Sequence, residues 1–326
     1  MKARTRHLST LSLVLSFCLC ASPSLAQQTP KASSEPEVAW YTLISIEDSQ
    51  RLAQAFEKKY PGVSVKVFRN RETALLPRII SEAQSGRPIA DVISVRGIGY
   101  HQLRKRNLIQ AYLSPESRFY PAGFKDPKGY WTDLYDSYYV WAYNTRAVAA
   151  PPRSHGDVVH QRLRDKIGMD NEETEWLTGL AQYWGRERAF KFLRELAAQQ
   201  IRFRDGHSLI AELMAAGEFE GALTFSEAIE RMKRKGAPVE WVKSLDPIVV
   251  SIHPVAIAAG APNPAAARLL VDFLLSEEGQ TIIRASGRIA PRFGSDGGVP
   301  LKLQPVDPAA AADYEGLQRE WRAIFK

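Results

Sequence analysis

The sequence has 326 residues, of which 45% are hydrophobic and 24% charged, as is usual for soluble globular proteins. This length allows two domains or one large domain. Beyond the first 26 residues, 40 Lys and Arg stand against 36 Asp and Glu. An excess of positive charge this small gives no reason to expect a nucleic-acid partner.

The first 26 residues have the pattern of a cleavable secretory signal peptide. A basic start precedes a mostly apolar stretch at residues 8–21, and Ser24 and Ala26 occupy positions −3 and −1 of a cleavage site. A lipoprotein signal at Cys18 fits less well, because the bulky Phe17 precedes the cysteine. Both cysteines of the chain lie in this segment, so we expect a periplasmic protein stabilised by a large core and not by disulfides.

Residues 27–36 are polar and proline-rich, which predicts a flexible leader. Strand and helix then alternate with short breaks. Strands are predicted at EVAWYTLI, VSVKVF and ADVISV, and helices at SQRLAQAFEKKYPG, TALLPRIISEAQSG and GYHQLRKRNLI. Such alternation predicts parallel β-α units and a three-layer α/β domain.

The pattern changes after Gly129. The stretch YWTDLYDSYYVWAYN holds seven aromatic residues, and alternation along a strand places Tyr139 and Trp141 on one face and Tyr138 on the other. A second α/β series follows. The stretch PIVVSIHPVAIAAG then predicts another connecting strand, and the chain ends in helical segments.

Several of these stretches resemble the substrate-binding proteins of bacterial ABC importers, in particular the group that includes ferric-iron binders. The resemblance covers nearly the whole mature chain, in order. The stretches that carry it are LAQAFEKKYPGVSVKV, ADVISV, DPKGYW, AYNTRAV, KGAPVEWV and PNPAAARLLVDFLLSEEGQ.

The resemblance implies a type II periplasmic-binding-protein fold, in which two three-layer α/β/α lobes are joined by two crossover strands. Lobe 1 would combine residues 37–135 with 259–326, and lobe 2 would comprise residues 136–258. The aromatic stretch near 136–144 and the stretch near 249–258 would be the crossovers. The ligand would lie in the cleft between the lobes, where small ligands usually bind.

The resemblance also implies a function. We expect a monomer that captures a small solute by hinge closure and delivers it to an ABC permease in the inner membrane, without a cofactor. The solute would be ferric iron or its chelate, or a small organic or phosphorylated anion. Presentation of the ligand to a membrane sensor kinase is an alternative. A secreted hydrolase is an alternative of another class, but the chain has neither a G-x-S-x-G elbow nor an H-E-x-x-H helix.

In such a fold the ligand meets loops at the carboxyl ends of strands. SIEDSQ offers Ser45 and Glu47, FRNRET offers Arg69 and Arg71, and SVRGIG offers Arg96. The alternative for the first loop is helix capping, and for the second it is solvated surface charge. A ligand role is favoured for Arg96, because a charge directly after a buried strand is well placed for the cleft.

Four acids follow or end the predicted strand KIGMD. Asp170 would cap the next helix, and Glu173, three residues on, would complete a capping box. Glu172 would favour the positive start of that helix, and Glu175 is expected to be solvated. A second interpretation is that Asp170 or Glu173 also contacts the ligand or a metal.

Further candidate ligand residues come from lobe 2 and from the first crossover. His207 and Ser208 lie in the loop FRDGHSL, where Ser208 is alternatively a helix cap. Thr224 lies near the end of the predicted strand EGALTF. Tyr138 and Tyr139 lie on the crossover, and one or two of its aromatic residues are expected at the ligand site.

The ferric-iron pattern of the family does not carry over to this chain. Iron-binding members use an adjacent tyrosine pair in lobe 2, near the position of LTFSEAIERM. This chain has Phe225, Ser226 and Glu227 there, and its own tyrosine pair, at 138–139, lies on the crossover. Cleft arginines favour an anion instead, and the question of a bound metal stays open.

Overall fold

The structure is a computed structural model that describes residues 35–159, 163–171, 173–294 and 300–325. The predicted signal peptide, most of the predicted leader and Glu172 lie outside the described residues. Within the described part, no helix is both long and apolar enough to cross a membrane.

Strands and helices alternate along most of the described chain, as predicted. The strands are β1 (Glu37–Thr42), β2 (Ser64–Arg69), β3 (Val92–Ser94), β4 (Ile109–Gln110), β5 (Thr132–Asn144), β6 (Ile167–Asp170), β7 (Arg202–Arg204), β8 (Gly221–Phe225), β9 (Val239–Trp241), β10 (Ile248–Ala258) and β11 (Leu303–Pro305). The helices are α1 (Ile46–Lys59), α2 (Glu72–Gln84), α3 (Gly97–Lys105), α4 (His155–Val158), α5 (Thr174–Trp184), α6 (Arg186–Ala197), α7 (His207–Ala216), α8 (Ser226–Arg234), α9 (Pro264–Leu275), α10 (Glu277–Ala285) and α11 (Tyr314–Ile324). Short 3₁₀ turns lie at Pro115–Phe119, Pro291–Phe293 and Pro308–Asp313.

The strands form one sheet in the order β2-β1-β3-β10-β5-β8-β6-β7. At one end β1 pairs in parallel with β2 and β3, and at the other β6 pairs in parallel with β7 and β8. Helices cross between these parallel strands, which is the arrangement that the alternating sequence pattern predicted.

The two long strands β5 and β10 pair antiparallel in the middle of the sheet. Every residue of β10 is buried, and so is nearly every residue of β5. Both strands have neighbours on either side and helices packed against them, which explains their dense apolar and aromatic composition. They coincide with the two stretches predicted as crossovers.

Helices cover both faces of the β1–β3 end of the sheet. Trp40 packs with residues of α1, α9 and α10, whereas the next residue, Tyr41, packs on the other face with residues of α2 and α3. Successive side chains of a strand point to opposite faces, so one short strand contributes to two cores. The three-layer α/β/α arrangement was predicted.

A separate core lies at the β6–β8 end. It combines α5, α6, α7 and α8 with the sheet, and Trp176 and Leu177 are among its fully buried residues. Leu317 and Trp321 of α11 pack into this same core. The C-terminal residues near 303–324 therefore pack with the elements assigned to lobe 2, although the sequence grouped residues 259–326 with lobe 1.

Candidate functional site

A cavity of about 400 Å³ lies beside β5, where the two ends of the sheet meet. Glu72 of α2 and Arg96, just before α3, line it from the β1–β3 end. Tyr139 of β5, Glu175 of α5 and Tyr314 of α11 line it from the other side. A solute bound here would contact elements from both ends of the sheet.

Arg96 is the positively charged group of this cavity. It lies two residues after the short buried strand β3, at the N-cap position of α3, and Glu72 holds it in place. The Nε atom of Arg96 lies 3.0 Å from Oε2 of Glu72, and its backbone N–H donates to Oε1 at 3.1 Å. A Cβ atom added at Gly99 would lie 2.3 Å from Oε1 of Glu72, so the glycine lets the carboxylate approach α3.

The guanidinium of Arg96 is available to a ligand. Its side chain is 47% exposed, and among the described residues neither of its terminal nitrogen atoms has a hydrogen-bond partner. Burial acts to lower the pKa of Arg96, but the carboxylates of Glu72 and Glu175 outweigh burial and raise that pKa. Arg96 is therefore a permanently charged donor with one side directed to Glu72 and the other free.

Glu175 faces the cavity from the first turn of α5 and is only 4% exposed. Its Oε2 atom accepts hydrogen bonds from Ser251 at 2.8 Å and from Tyr139 at 3.4 Å. Its Oε1 atom is buried and has no partner among the described residues. A buried carboxylate oxygen without a partner is costly, so a ligand that donates a hydrogen bond to it would be stabilised.

Burial raises the pKa of Glu175 to about 7, although Arg96 opposes the shift. The folded state therefore holds this proton more tightly than the unfolded chain, in which the carboxyl titrates near 4.5. Protonated Glu175 therefore contributes to the unfolding free energy. This contribution is fully present below about pH 4.5, and it is lost as the pH rises towards and past 7.

We therefore expect the wild type to lose roughly 2 kcal/mol of unfolding free energy, relative to Glu175→Gln, when the pH is raised from 5 to 8. Urea unfolding at both pH values measures this difference. Glutamine keeps the acceptor for Ser251 but cannot ionise. A difference that is the same at both pH values would mean that Glu175 titrates as an ordinary exposed carboxyl group.

The acids after KIGM do not form the predicted capping box. Asp170 still belongs to β6, where it pairs in register with Arg204, and its Oδ2 atom accepts from the backbone N–H of Gly206 at 2.6 Å. α5 begins only at Thr174, and Glu173, at the N-cap position, makes no side-chain cap. The capping prediction is wrong because the helix begins later than expected, so Asp170 lies three residues before its N-cap position.

Glu175 was expected to be solvated, and this prediction is also wrong. The first residues of α5 are all buried, because that turn packs between the sheet and α11. The later helix start places Glu175 in the first turn and directs it to the cavity.

Glu173 and His207 form a buried pair beside the cavity. Oε1 of Glu173 lies 3.6 Å from Nδ1 of His207, and the imidazole packs against the rings of Tyr139 and Phe225. Burial raises the pKa of Glu173 well above its ordinary value, and Asp170 adds to the shift. Burial lowers the pKa of His207 to about 3. The imidazole is therefore neutral near pH 7, and this contact is not an ion pair.

The candidates of the first two loops do not line the cavity. Ser45 caps α1 by accepting from the backbone N–H of Asp48, and Glu47 is 72% exposed and pairs with Arg51. Capping was the predicted alternative for this loop, but with Asp48 or Ser49 as the cap, and both residues lie inside α1. Arg69 is exposed at the end of β2, and Arg71 occupies the N-cap position of α2. Any ligand role of these residues stays a prediction.

The remaining candidates have structural partners. Ser208 accepts from Arg231 at 2.8 Å and does not cap α7, whose N-cap position is Gly206. Thr224 is buried and donates to the carbonyl of His207. Tyr138 faces the opposite side of the sheet from Tyr139, as strand alternation predicted, and lines another cavity.

Three ionisable residues of the cavity were not among the predicted ligand residues: Glu72, Glu175 and Tyr314. Glu72 lies in the FRNRET loop, where the two arginines drew attention. Tyr314 lies near the C-terminus, and nothing local in the sequence shows that α11 packs against α5.

No group of three or more His, Cys, Asp or Glu side chains in the described ranges is arranged to hold a metal ion. The adjacent tyrosines 138 and 139 point to opposite faces of β5, so they do not converge on one ligand.

Comparison with known proteins extends these observations. A 2-aminoethylphosphonate-binding periplasmic protein of Salmonella typhimurium, so named provisionally, is 21% identical over 333 residues, which cover 95% of this chain and 91% of that protein. The periplasmic binding protein AfuA of Actinobacillus pleuropneumoniae, solved with fructose 6-phosphate, is 24% identical with a TM-score of 0.73 over 89% of this chain and 98% of its own. Iron-bound HitA of Pseudomonas aeruginosa is 21% identical, with a TM-score of 0.75 over 87% of this chain and 99% of its own.

These likenesses confirm the predicted type II periplasmic-binding-protein fold. The profile of the family described as bacterial extracellular solute-binding protein matches residues 48–289, which is most of the chain. Its members are binding proteins, as the resemblance implied. The chain belongs to the family of bacterial extracellular solute-binding proteins.

Proposed function

We propose that this protein captures one small anionic solute in the cavity beside Arg96, Tyr139 and Glu175 and delivers it to an ABC permease. The observation that carries the proposal is the combination in one cavity of a half-exposed arginine and a buried carboxylate oxygen without a partner among the described residues. The protein would act in the periplasm after removal of residues 1–26, as a monomer and without catalysis.

The proposed mechanism is hinge closure of two lobes. Residues 37–135 and 259–294 would form lobe 1, and residues 136–258 with the C-terminal segment 300–325 would form lobe 2. This division follows the packing of α11 with α5 and differs from the sequence-based one. The long strands β5 and β10 would be the hinge. A ligand that contacts both lobes binds the closed state more tightly and so shifts the population towards it.

The side chains of the cavity define the chemistry of the solute. Arg96 would bind a carboxylate or phosphoryl group, since guanidinium pairs well with such anions. Glu175 would accept a hydrogen bond from a hydroxyl or amine of the same molecule, and Tyr139 would pack against its apolar surface. A phosphorylated sugar has both kinds of group, and fructose 6-phosphate is the ligand in the Actinobacillus relative.

Protein isolated from the periplasm without refolding should carry the solute, and native mass spectrometry would give its mass. Adding that solute to protein stripped by unfolding and refolding should then reduce the radius of gyration in small-angle X-ray scattering, because the lobes close. An unchanged scattering profile at saturating solute would contradict hinge closure. Turnover of the solute to a product would contradict a purely binding role.

A further inference from the structure

The C-terminal segment, residues 300–325, begins on a strand assigned to lobe 2. The backbone N–H of Ile248, at the start of β10, donates to the carbonyl of Lys302 at 2.8 Å. The N–H of Val306 donates to the carbonyl of Val250 at 3.0 Å, and the Val306 side chain is buried in the core of the β6–β8 end. The start of the segment is therefore attached to lobe 2.

The last helix is fixed to lobe 2 as well. Trp321 of α11 is buried, and its Nε1–H donates to the carbonyl of Asn171, directly after β6, at 3.2 Å. Arg186 of α6 pairs with Asp313 at 2.8 Å. Lobe 2 thus holds the chain on both sides of residues 307–313.

Between these two attachments, the 3₁₀ turn Pro308–Asp313 packs against α3, which belongs to lobe 1. The contact is close because α3 begins with a glycine. A Cβ atom added at Gly97 would lie 3.5 Å from Cγ of Pro308 and 3.2 Å from Cγ1 of Ile252. Pro308 is buried in this position. The turn is thus carried by lobe 2 and seated on lobe 1.

The contact of the turn with α3 is apolar. Asp307 closes the turn on itself, since its Oδ1 atom accepts from the N–H of Ala309 at 2.8 Å. The N–H of Asp307 donates to Oε1 of Gln182 in α5, at 3.4 Å, and so to lobe 2. Among the described residues, no hydrogen bond or ion pair joins residues 307–313 to α3. The turn can therefore leave α3 without breaking a polar contact, because apolar burial alone holds it there.

The turn leads directly into the wall of the solute cavity. Tyr314, the first residue after the turn, lines that cavity together with Arg96. Arg96 directly precedes Gly97, on which Pro308 rests. Movement of the turn away from α3 would therefore carry Tyr314 away from Arg96 and widen the cavity.

We infer that residues 307–314 form a latch between the lobes, which closes the solute cavity when it is docked on α3. The inference rests on the proposed two-lobe division and solute cavity. The docked latch would hold the lobes of the empty protein in the arrangement described here, and the solute would enter when the latch leaves α3. A solute that contacts both Arg96 and Tyr314 would favour the docked state, so the latch would couple solute binding to closure.

Distances between spin labels on the two lobes, measured by double electron–electron resonance, test the latch in protein emptied by unfolding and refolding. Both cysteines of the chain lie within residues 1–26, so Lys58→Cys in α1 and Lys191→Cys in α6 can be labelled without background, and both positions are exposed. The wild type should show the short distance of the docked arrangement. Pro308→Ala should raise the ratio of long to short distances about tenfold, since it removes two buried methylene groups from the contact.

The matched control is Pro300→Ala, the same change at an exposed proline of the same segment. It should keep the distance distribution of the wild type. An unchanged distribution in Pro308→Ala, or an equal change in Pro300→Ala, would overturn the proposal.

A reversible crosslink gives a change of opposite sign. The unlabelled double variant Gly97→Cys, Pro308→Cys lacks the proline ring, so its reduced, empty form should have a larger radius of gyration than the wild type in small-angle X-ray scattering. The two positions are close enough for a disulfide. Oxidation should link the turn to α3 and lower the radius of gyration, and a reductant should reverse the change, which misfolded protein would not do. Equal radii of gyration in the oxidised and reduced forms would contradict the latch.

These measurements need no solute, so failure of the latch is distinguishable from failure of the proposed function. If Pro308→Ala leaves the distances of the empty protein unchanged while the periplasmic solute still closes the lobes, the latch is overturned and hinge closure stands. If neither the substitution nor the solute changes the distances, both proposals are overturned.

Discussion

The Trp176→Ala variant is expected to lose about 3–5 kcal/mol of unfolding free energy. The Trp176 side chain is 1% exposed in the core of the β6–β8 end. Its indole meets the rings of Trp141 and Phe192 edge-to-face, with centroids 5.8 and 6.0 Å apart. Truncation removes this buried area and leaves a cavity that rigid aromatic neighbours cannot fill.

Trp184 of the same helix provides a matched control. It is only partly buried and packs against His155 and Phe192 at the end of α5. The same substitution at Trp184 should therefore cost clearly less. Chemical denaturation of both variants measures the difference, and equal losses would show that α5 is not anchored at Trp176.

This anchoring matters for the site because Glu175 precedes Trp176 in the first turn of α5. The helix also lies directly on β10: a Cβ atom added at Gly179 would lie 2.4 Å from Cγ1 of Val249. The contact fixes the height of α5 above the sheet, and so fixes the position of Glu175 opposite Arg96.

Much of this fold could be predicted from the sequence. Apolar alternation and amphipathic spacing predicted the parallel β-α order. The aromatic stretch at residues 130–144 predicted a strand with aromatic side chains on both faces, and β5 is such a strand, almost wholly buried. Alternation also separated Tyr138 from Tyr139 correctly. These features depend on local periodicity, which a single sequence displays directly.

The errors concern positions where tertiary contacts decide the outcome. Asp170 has the spacing of a helix cap, but pairing with β7 and the N–H of Gly206 hold it in the strand. No local pattern shows that the first turn of α5 is covered by α11, so Glu175 resembled a solvated acid. The packing of the C-terminal helix with the β6–β8 end was not expected for the same reason, because its partners are more than a hundred residues away.

Arg96 could be predicted to face the cleft from its neighbours in the sequence alone. A charge that follows a buried strand lies at the edge of a sheet where ligands bind. Its partner Glu72 was missed because the ion pair joins the starts of α2 and α3, which are 24 residues apart in the sequence. The sequence thus pointed to the cation that lines the cavity and not to Glu72, the carboxylate that pairs with it.

The largest functional effect is expected at Arg96. Arg96→Gln should weaken binding of the native solute about 100-fold, or about 2.8 kcal/mol. Glutamine cannot supply the charge or the two parallel donors of guanidinium, and truncating one member of a charged hydrogen-bonded pair typically costs this much. Stability should change little, because Arg96 is half exposed and exposed ion pairs contribute at most about 1 kcal/mol.

The measurement works before the solute has been identified. Wild type and variants are isolated from the periplasm without refolding, and native mass spectrometry gives the fraction of molecules that carry a bound small molecule. Arg96→Gln should be isolated empty, whereas the control Arg202→Gln, which removes an exposed arginine paired with Asp165, should keep the wild-type occupancy. Full occupancy in Arg96→Gln would show that the solute binds elsewhere, since no other cation among the described residues lines that cavity.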